Sequence, residues 1–188
     1  MHNLLKIYYF IDEFNRQEIQ KLNKNIALIY RNYKENYNLK LIKKIRTFCL
    51  KQNREFYISN NLKIALNLNL DGVYIPSFVK LCNYKNLSTK NNFKLIGSAH
   101  NLFELKNKEK QGCTSIFIAP IFKIKKSNYF LDIVRFNLIS KNSKKKIVAL
   151  GGINFLNYKK IKLTNSNGLA SISWIKKNRP KNIGRFLK

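Results

Sequence analysis

The feature that most constrains the fold is an eightfold alternation of short apolar segments with longer, helix-like segments. The apolar segments are rich in Ile, Val, Tyr and Phe and show no regular polar alternation, which is typical of strands covered on both faces. The predicted strands are Leu5–Ile11, Asn25–Tyr30, Glu55–Ser59, Gly72–Ile75, Phe93–Ser98, Ser115–Ile121, Ile147–Leu150 and Gly168–Ile175. Strands that alternate with helices predict right-handed βαβ units and a parallel sheet.

Helices are predicted between most of these strands, because apolar residues recur there at intervals of three or four positions. The predicted helices are Glu13–Asn23, Leu39–Lys51, Leu62–Leu70, His100–Gln111, Phe130–Ile139, Phe155–Leu163 and a last short helix, Pro180–Leu187. Eight units predict an α/β fold, a single (β/α)8 TIM barrel that forms one domain over residues 1–188. An open, doubly wound sheet remains the alternative, since a short strand is easily miscounted.

Length and cysteine usage narrow the class of protein. A chain of 188 residues fits one domain, with lean loops for a barrel that typically needs about 200 residues or more. No apolar run approaches the roughly 20 residues that span a bilayer, and the N-terminus lacks a signal-peptide pattern. The three cysteines, Cys49, Cys82 and Cys113, are far apart. We therefore expect reduced thiols in a cytoplasmic protein, without disulfides or a cysteine zinc site.

The formal net charge of +28 indicates affinity for anions. Lysines are spread along the whole chain together with many Asn and Ile residues, all of which have A/T-rich codons. This dispersal favours codon bias over a dedicated nucleic-acid surface, so an RNA-associated protein is a minor alternative. In either case, the charge favours small anionic ligands and makes their binding sensitive to salt.

A Gly-Gly pair at the end of the seventh strand predicts a phosphate site. The apolar run from Lys146 to Leu150 leads directly into Gly151 and Gly152. Two glycines allow the backbone to approach a ligand closely and to present N–H groups to an anion. In an eightfold barrel the loops after the seventh and eighth strands frequently bind phosphate. The alternative is a glycine turn without a ligand.

Five strand-end motifs stand in order and in register over nearly the whole chain. They are Asp71–Ile75, Ser98–His100, Ala119–Phe122, Ala149–Ile153 and Gly168–Ser173. Together these motifs resemble the thiamine phosphate synthase and TenI (thiazole tautomerase) family of barrels. The resemblance implies a transferase of thiamine biosynthesis that joins hydroxymethylpyrimidine diphosphate to thiazole phosphate with loss of diphosphate. It also implies that the thiazole phosphate binds to Gly151, Gly152, Ile172 and Ser173.

The resemblance implies a second anion site, for the pyrimidine and its diphosphate. The residues assigned to it are Arg31, Ser59, Asn60, Ser98, Lys125 and Lys126. Arg31 matches an arginine of the family motif after the second strand. Lys123–Ser127 replaces the family's usual Pro-Thr-x-Thr-Lys segment, and we hypothesise that its lysines partly replace a metal ion.

The family is expected to use Mg²⁺, but this chain lacks the usual aspartate ligands. Ser59–Asn61 replaces the family's Asn-Asp-Arg, and a second metal-binding aspartate position falls near Val79. Of the acidic residues, only Asp12 and Glu13, and less plausibly Glu35, follow a strand on the catalytic face. Because Mg²⁺ prefers carboxylate oxygens and substrate phosphates, no protein metal site is predicted.

The choice of reaction depends on Pro120, which occupies the position of the tautomerase histidine. His100 is interpreted as a residue that helps to start a helix, so no catalytic residue is assigned. We therefore favour a divergent synthase over a tautomerase. The alternative is a non-catalytic or repurposed member that binds a thiazole or thiamine phosphate. Homo-oligomerisation is possible, and no membrane partner is expected.

Overall fold

A computed structural model describes residues 5–33, 37–80, 92–125 and 127–178, and in it eight parallel strands close into a barrel. The strands are β1 (Lys6–Ile11), β2 (Ile26–Tyr30), β3 (Phe56–Ser59), β4 (Gly72–Ile75), β5 (Lys94–Ala99), β6 (Ser115–Ile118), β7 (Lys146–Leu150) and β8 (Gly168–Ser171). Because β1 pairs with both β2 and β8, the predicted (β/α)8 barrel is confirmed and the open sheet is wrong. One domain over residues 1–188 remains a prediction.

Helices connect the strands within the described ranges. They are α1 (Arg16–Gln20), α2 (Leu39–Lys51), α3 (Leu62–Asn67), α4 (Leu102–Lys110), α5 (Asp132–Ser140), a 3-10 helix (Tyr158–Leu163) and α6 (Ser173–Asn178). The helix predicted over Phe155–Leu163 is therefore a shorter 3-10 helix, and the one predicted over Pro180–Leu187 lies outside the described residues. No helix in these ranges is both long enough and apolar enough to cross a membrane.

Asparagine side chains set the start of four helices. Asn15, Asn38, Asn61 and Asn101 each accept a hydrogen bond from the backbone N–H three residues later. Such N-caps satisfy an N–H group that has no partner within the helix. Two helices consequently begin later than predicted, α1 at Arg16 and α4 at Leu102.

The prediction that Gly168–Ile175 forms the eighth strand is wrong in its second half. The strand ends at Ser171, whose Oγ accepts the Trp174 N–H at 3.3 Å. Helix α6 then begins at Ser173, so Trp174 lies on a helix, where its ring stacks on Tyr158 at 5.2 Å. The strand-to-helix turn at Ile172 therefore lies at the carboxyl end of the barrel, where the phosphate site is predicted.

Aromatic side chains fill the centre of the barrel. The odd strands contribute Tyr8, Tyr57, Ile96 and Val148, and the even strands contribute Ile29, Tyr74, Phe117 and Ala170. The Phe117 ring makes edge contacts with Tyr8 at 4.9 Å and with Tyr74 at 5.6 Å. Because side chains from alternate strands stack in such layers, the interior of the barrel is a packed core. This core separates a cavity at the carboxyl ends of the strands from another at their amino ends.

Candidate functional site

The cavity at the carboxyl ends of the strands, here called the upper cavity, has a volume of about 490 Å³. It is lined by Arg31, Tyr33, Tyr74, Pro76, Ser77, Phe78, Ser98, His100, Ala119, Pro120, Ile124, Leu150, Gly151, Gly152, Ile153, Ser171 and Ile172. Five residues predicted from the sequence therefore share one wall: Arg31, Ser98, Gly151, Gly152 and Ile172. This is the end of a (β/α)8 barrel at which active sites form.

The turn after β7 has room only for glycine. Gly151 and Gly152 have φ angles of +91° and +72°, which side chains disfavour. A Cβ atom on Gly152 would lie 2.3 Å from the Phe122 carbonyl oxygen, and one on Gly151 would lie 2.8 Å from Pro120 Cβ. The Gly152 carbonyl accepts the side-chain amide of Asn157 at 2.9 Å, while its N–H has no acceptor among the described residues. The turn can thus offer a backbone donor to a ligand.

Arg31 supplies a positive charge on the wall of the upper cavity. Its guanidinium carbon lies 4.6 Å from the centre of the Phe10 ring and 5.7 Å from that of Tyr33, so two aromatic faces orient it. No carboxylate of the described residues forms a salt bridge with it. Its positive charge is therefore available for an anionic ligand.

Tyr74 lines the upper cavity, and sequence analysis did not assign it to the site. Burial raises the pKa of its phenol to about 12, although a hydrogen bond with Ser98 and the charge of Arg31 act in the opposite direction. The phenol is therefore neutral at pH 7. With the Ser98 hydroxyl beside it, this part of the wall can donate and accept hydrogen bonds. Side chains along a strand point alternately into and out of the barrel, and this alternation along β4 directs Tyr74 inward. It was the sequence signal that could have identified Tyr74.

His100 lines the rim of the same cavity. Its Nδ1 lies 2.8 Å from the Ala119 carbonyl oxygen, and since a carbonyl only accepts, Nδ1 carries the proton. Its backbone N–H donates to Glu104 Oε2 at 2.7 Å, one residue before the Asn101 cap of α4. The backbone N–H of His100 is thus hydrogen-bonded to the first turn of α4.

A buried lysine fixes the segment after β4, which contributes Pro76 and its two successors to the wall. Lys108 Nζ donates to the Pro76 and Val79 carbonyl oxygens at 2.7 and 2.9 Å and to Gln111 Oε1 at 2.9 Å. Gln111 Nε2 also donates to the Val79 carbonyl at 2.8 Å. A Cβ atom on Gly97 would lie 2.9 Å from Lys108 Cδ, so this glycine leaves space for the lysine stem. Sequence analysis missed Lys108 because it resembles the chain's many solvated lysines.

Replacing Lys108 by methionine is expected to lower the free energy of unfolding by about 2 kcal/mol, because buried carbonyl acceptors lose a charged donor. Urea denaturation of the two proteins measures the change. Lys110→Met, an exposed position on the same helix, is the matched control and should stay within about 0.5 kcal/mol. Equal stability of the Lys108 and Lys110 variants would show that the buried ammonium does not hold the segment.

Three other predicted residues, Ser59, Asn60 and Lys125, are described but do not line the upper cavity, and Ser173 is described only through its backbone. Ser59 is fully buried, and its Oγ has no partner among the described residues. Asn60 is exposed at a φ of +53°, and Lys125 is exposed outside the lining. Lys126 lies outside the described residues, and Ser173 begins α6.

The wall of the upper cavity contains no carboxylate among its described lining residues. Asp12 and Glu13 follow β1 but are exposed and outside the lining, and Glu35 lies outside the described residues. In the described ranges, no three His, Cys, Asp or Glu side chains cluster where they could share a metal ion. Because Mg²⁺ prefers carboxylate oxygens, the described wall does not fit a protein-held Mg²⁺.

Comparisons with known proteins agree with this architecture. A family model described as thiamine monophosphate synthase matches residues 16–175. The chain is similar to a thiamine-phosphate synthase of Prochlorococcus marinus, with 31% identity over 166 residues, covering 82% of this chain and 46% of that protein. A thiamine-phosphate synthase of Pelagibacter ubique is 32% identical over 177 residues, covering 88% of this chain and 84% of that one.

Two further facts concern the lengths of the relatives and the similarity to solved structures. The chain spans about half the length of the Prochlorococcus relatives it matches, covering 46% and 43% of two of them. Among solved structures, a thiamine phosphate pyrophosphorylase from Pyrococcus furiosus superposes with a TM-score of 0.78 at 20% identity, covering 98% of this chain and 94% of that one. At this identity the superposition supports the shared fold alone.

Proposed function

The chain belongs to the thiamine monophosphate synthase family, and we propose that it is a divergent thiamine phosphate synthase acting in the upper cavity. In this reaction hydroxymethylpyrimidine diphosphate and thiazole phosphate give thiamine phosphate and diphosphate. The observation that carries the proposal is the convergence of Arg31, Ser98 and the Gly151–Gly152 turn on one wall. Thiamine phosphate formation by the purified chain from these two substrates tests it.

The chemistry requires two anion subsites and little proton transfer. The bond between the pyrimidine methylene carbon and the diphosphate oxygen breaks, and both electrons leave with the diphosphate. The thiazole nitrogen then donates its lone pair to the resulting cation and forms the new carbon–nitrogen bond. Because neither step needs a general base, the lack of an assigned catalytic residue is compatible with turnover. Preorganised donors and cations stabilise the charge that develops on the leaving group.

The two anions are assigned to two neighbouring parts of the lining of the upper cavity. The turns at Gly151–Gly152 and Ile172–Ser173 take the thiazole phosphate through backbone N–H groups. Arg31 takes the diphosphate, with the Ser98 hydroxyl beside the pyrimidine. In the family, Mg²⁺ would neutralise the diphosphate, but the described wall lacks carboxylates to hold it. Protein cations are therefore assigned this role.

Arg31→Gln is expected to raise the dissociation constant for inorganic diphosphate about tenfold or more, because a charge-assisted hydrogen bond contributes roughly 1.5–3 kcal/mol. Isothermal titration calorimetry measures the change. Arg135→Gln removes the same charge from an exposed position on α5, outside the cavity lining, and serves as the control. If both variants bind diphosphate equally well, Arg31 does not contact the anion.

The lysines after β6 provide a second test of metal-free charge neutralisation. Replacing Lys125 and Lys126 together by glutamine should weaken diphosphate binding, because two positive charges of the segment after β6 are lost. Calorimetry at low and moderate salt measures the effect, which should shrink as salt rises. Unchanged binding at low salt would remove these lysines from the site.

The second candidate function is binding without turnover. The lack of carboxylates in the described wall favours it, whereas the family match and the shared wall favour the enzyme. An RNA-associated protein is supported only by the net charge of +28. Cytoplasmic location and homo-oligomerisation remain expectations within this proposal.

A further inference from the structure

A second cavity, here called the lower cavity, lies at the amino ends of the strands. Its volume is about 560 Å³, and Lys6, Glu55, Lys94 and Lys146 are among its lining residues. The aromatic core of the barrel separates it from the upper cavity. The family's reaction, as described above, does not use this end of the barrel.

The four charged residues form one layer of the barrel. They precede Tyr8, Tyr57, Ile96 and Val148 by two positions, and these four form one interior layer contributed by the odd strands. Because residues two apart on a strand face the same side, the charged groups also point towards the barrel axis. This charged layer therefore closes the amino end of the barrel as a ring of three lysines and one glutamate.

The ring carries more positive than negative charge. The Glu55 carboxylate pairs with Lys6 Nζ at 3.1 Å and with Lys94 Nζ at 2.7 Å. Lys146 forms no salt bridge with a carboxylate of the described residues. Two positive charges of the ring are therefore uncompensated, and mutual repulsion makes an added anion favourable.

Neutral hydrogen-bonding groups surround the ring. Thr114, Ser115, Ser166 and Asn167 line the same cavity. The Tyr8 phenol also lines it and shares a hydrogen bond with Ser115, and burial raises the pKa of this phenol, so it stays protonated at pH 7. Ammonium groups together with hydroxyl and amide groups match the donors that phosphate oxygens accept.

We propose that the lower cavity is a second anion site, which binds inorganic phosphate or the phosphate group of a small metabolite with Lys146 as its principal cation. The proposal is independent of the reaction in the upper cavity. Lys6 and Lys94 assist, while Glu55 holds them in place and lowers the net attraction. An anion bound here contacts β1, β5 and β7 together and stabilises the folded barrel by mass action.

The first experiment titrates inorganic phosphate into ¹⁵N-labelled protein at constant ionic strength, with chloride as the reference anion. The backbone N–H groups of Lys146 and Asn167 report on the lower cavity, and that of Gly152 reports on the upper cavity. The proposal predicts saturable shifts at Lys146 and Asn167 with phosphate that chloride does not reproduce. Shifts confined to Gly152, or equal shifts with chloride, would overturn it.

Two variants are expected to change the dissociation constant for phosphate in opposite directions. Lys146→Gln should raise the dissociation constant at the lower reporters about fivefold, as expected for an exposed charge at the cavity edge, while Gly152 is unaffected. Glu55→Gln should lower the same constant severalfold, because it removes the negative charge of the ring. Lys145→Gln, an adjacent exposed lysine outside the lining, is the charge-matched control. If Lys145 and Lys146 variants behave alike, only the net charge of the protein matters and the site is refuted.

Discussion

Replacing Gly152 by alanine is expected to weaken phosphate binding in the upper cavity about a hundredfold. The new Cβ would lie 2.3 Å from the Phe122 carbonyl oxygen, at a φ of +72° that alanine disfavours. Backbone strain and overpacking together cost about 3 kcal/mol, so the turn is expected to move away from its ligand-binding geometry. Calorimetry with thiazole phosphate measures the change in affinity.

Gly112→Ala is the matched control for Gly152→Ala. Gly112 also has a positive φ, of +91°, but follows the end of α4 and lies outside the upper cavity. It should lose roughly 1 kcal/mol of stability without losing affinity for thiazole phosphate. Circular dichroism confirms that both variants are folded. Native affinity in a folded Gly152→Ala protein would mean that the turn does not bind phosphate.

Replacing Arg54 by methionine is expected to lower the free energy of unfolding by about 4 kcal/mol, because several buried carbonyls lose a charged donor at once. The Arg54 side chain is buried, and burial lowers its pKa. Its guanidinium donates to the Asn23 and Ile26 carbonyls at 2.9 and 2.6 Å and to those of Ile19 and Leu22 at 3.4 and 3.2 Å. It thus joins the start of β3 to the segment between α1 and β2.

Urea denaturation at pH 7 measures the effect of Arg54→Met, with Arg16→Met as the control. Arg16 is exposed at the first position of α1, so its replacement should change stability by less than about 0.5 kcal/mol. If Arg54→Met lowers the free energy of unfolding no more than the control does, water replaces the guanidinium at the carbonyls. The hydrogen bonds of Arg54 then contribute little to stability.

Local patterns were enough to predict the barrel and a glycine turn that lines the upper cavity. Alternating apolar and amphipathic segments predicted the eight strands, and Gly151–Gly152 identified a turn that the structure brings together with Arg31 and Ser98. These features depend on short sequence periods and on residues close in the chain. Such local patterns can be recognised in a single sequence.

Features that depend on distant partners could not be predicted in this way. Lys108 and Arg54 can be buried because backbone carbonyls of other segments accept their hydrogen bonds. In the sequence, however, nothing distinguishes these two residues from the other members of a set of 37 mostly dispersed basic residues. The end of β8 was missed because the apolar residues continue through Trp174 and Ile175 into α6. Only the Ser171 hydroxyl, which accepts the Trp174 N–H, marks that boundary.

The central claim is that the upper cavity makes thiamine phosphate, and one assay tests it directly. Purified protein is incubated with hydroxymethylpyrimidine diphosphate and thiazole phosphate, with Mg²⁺ or with EDTA, and thiamine phosphate is quantified. The account predicts product in both conditions, because protein cations neutralise the leaving diphosphate, and a strong loss in Arg31→Gln. No product in either condition, from folded protein that still binds thiazole phosphate, would contradict it and favour a binding protein that has lost the reaction.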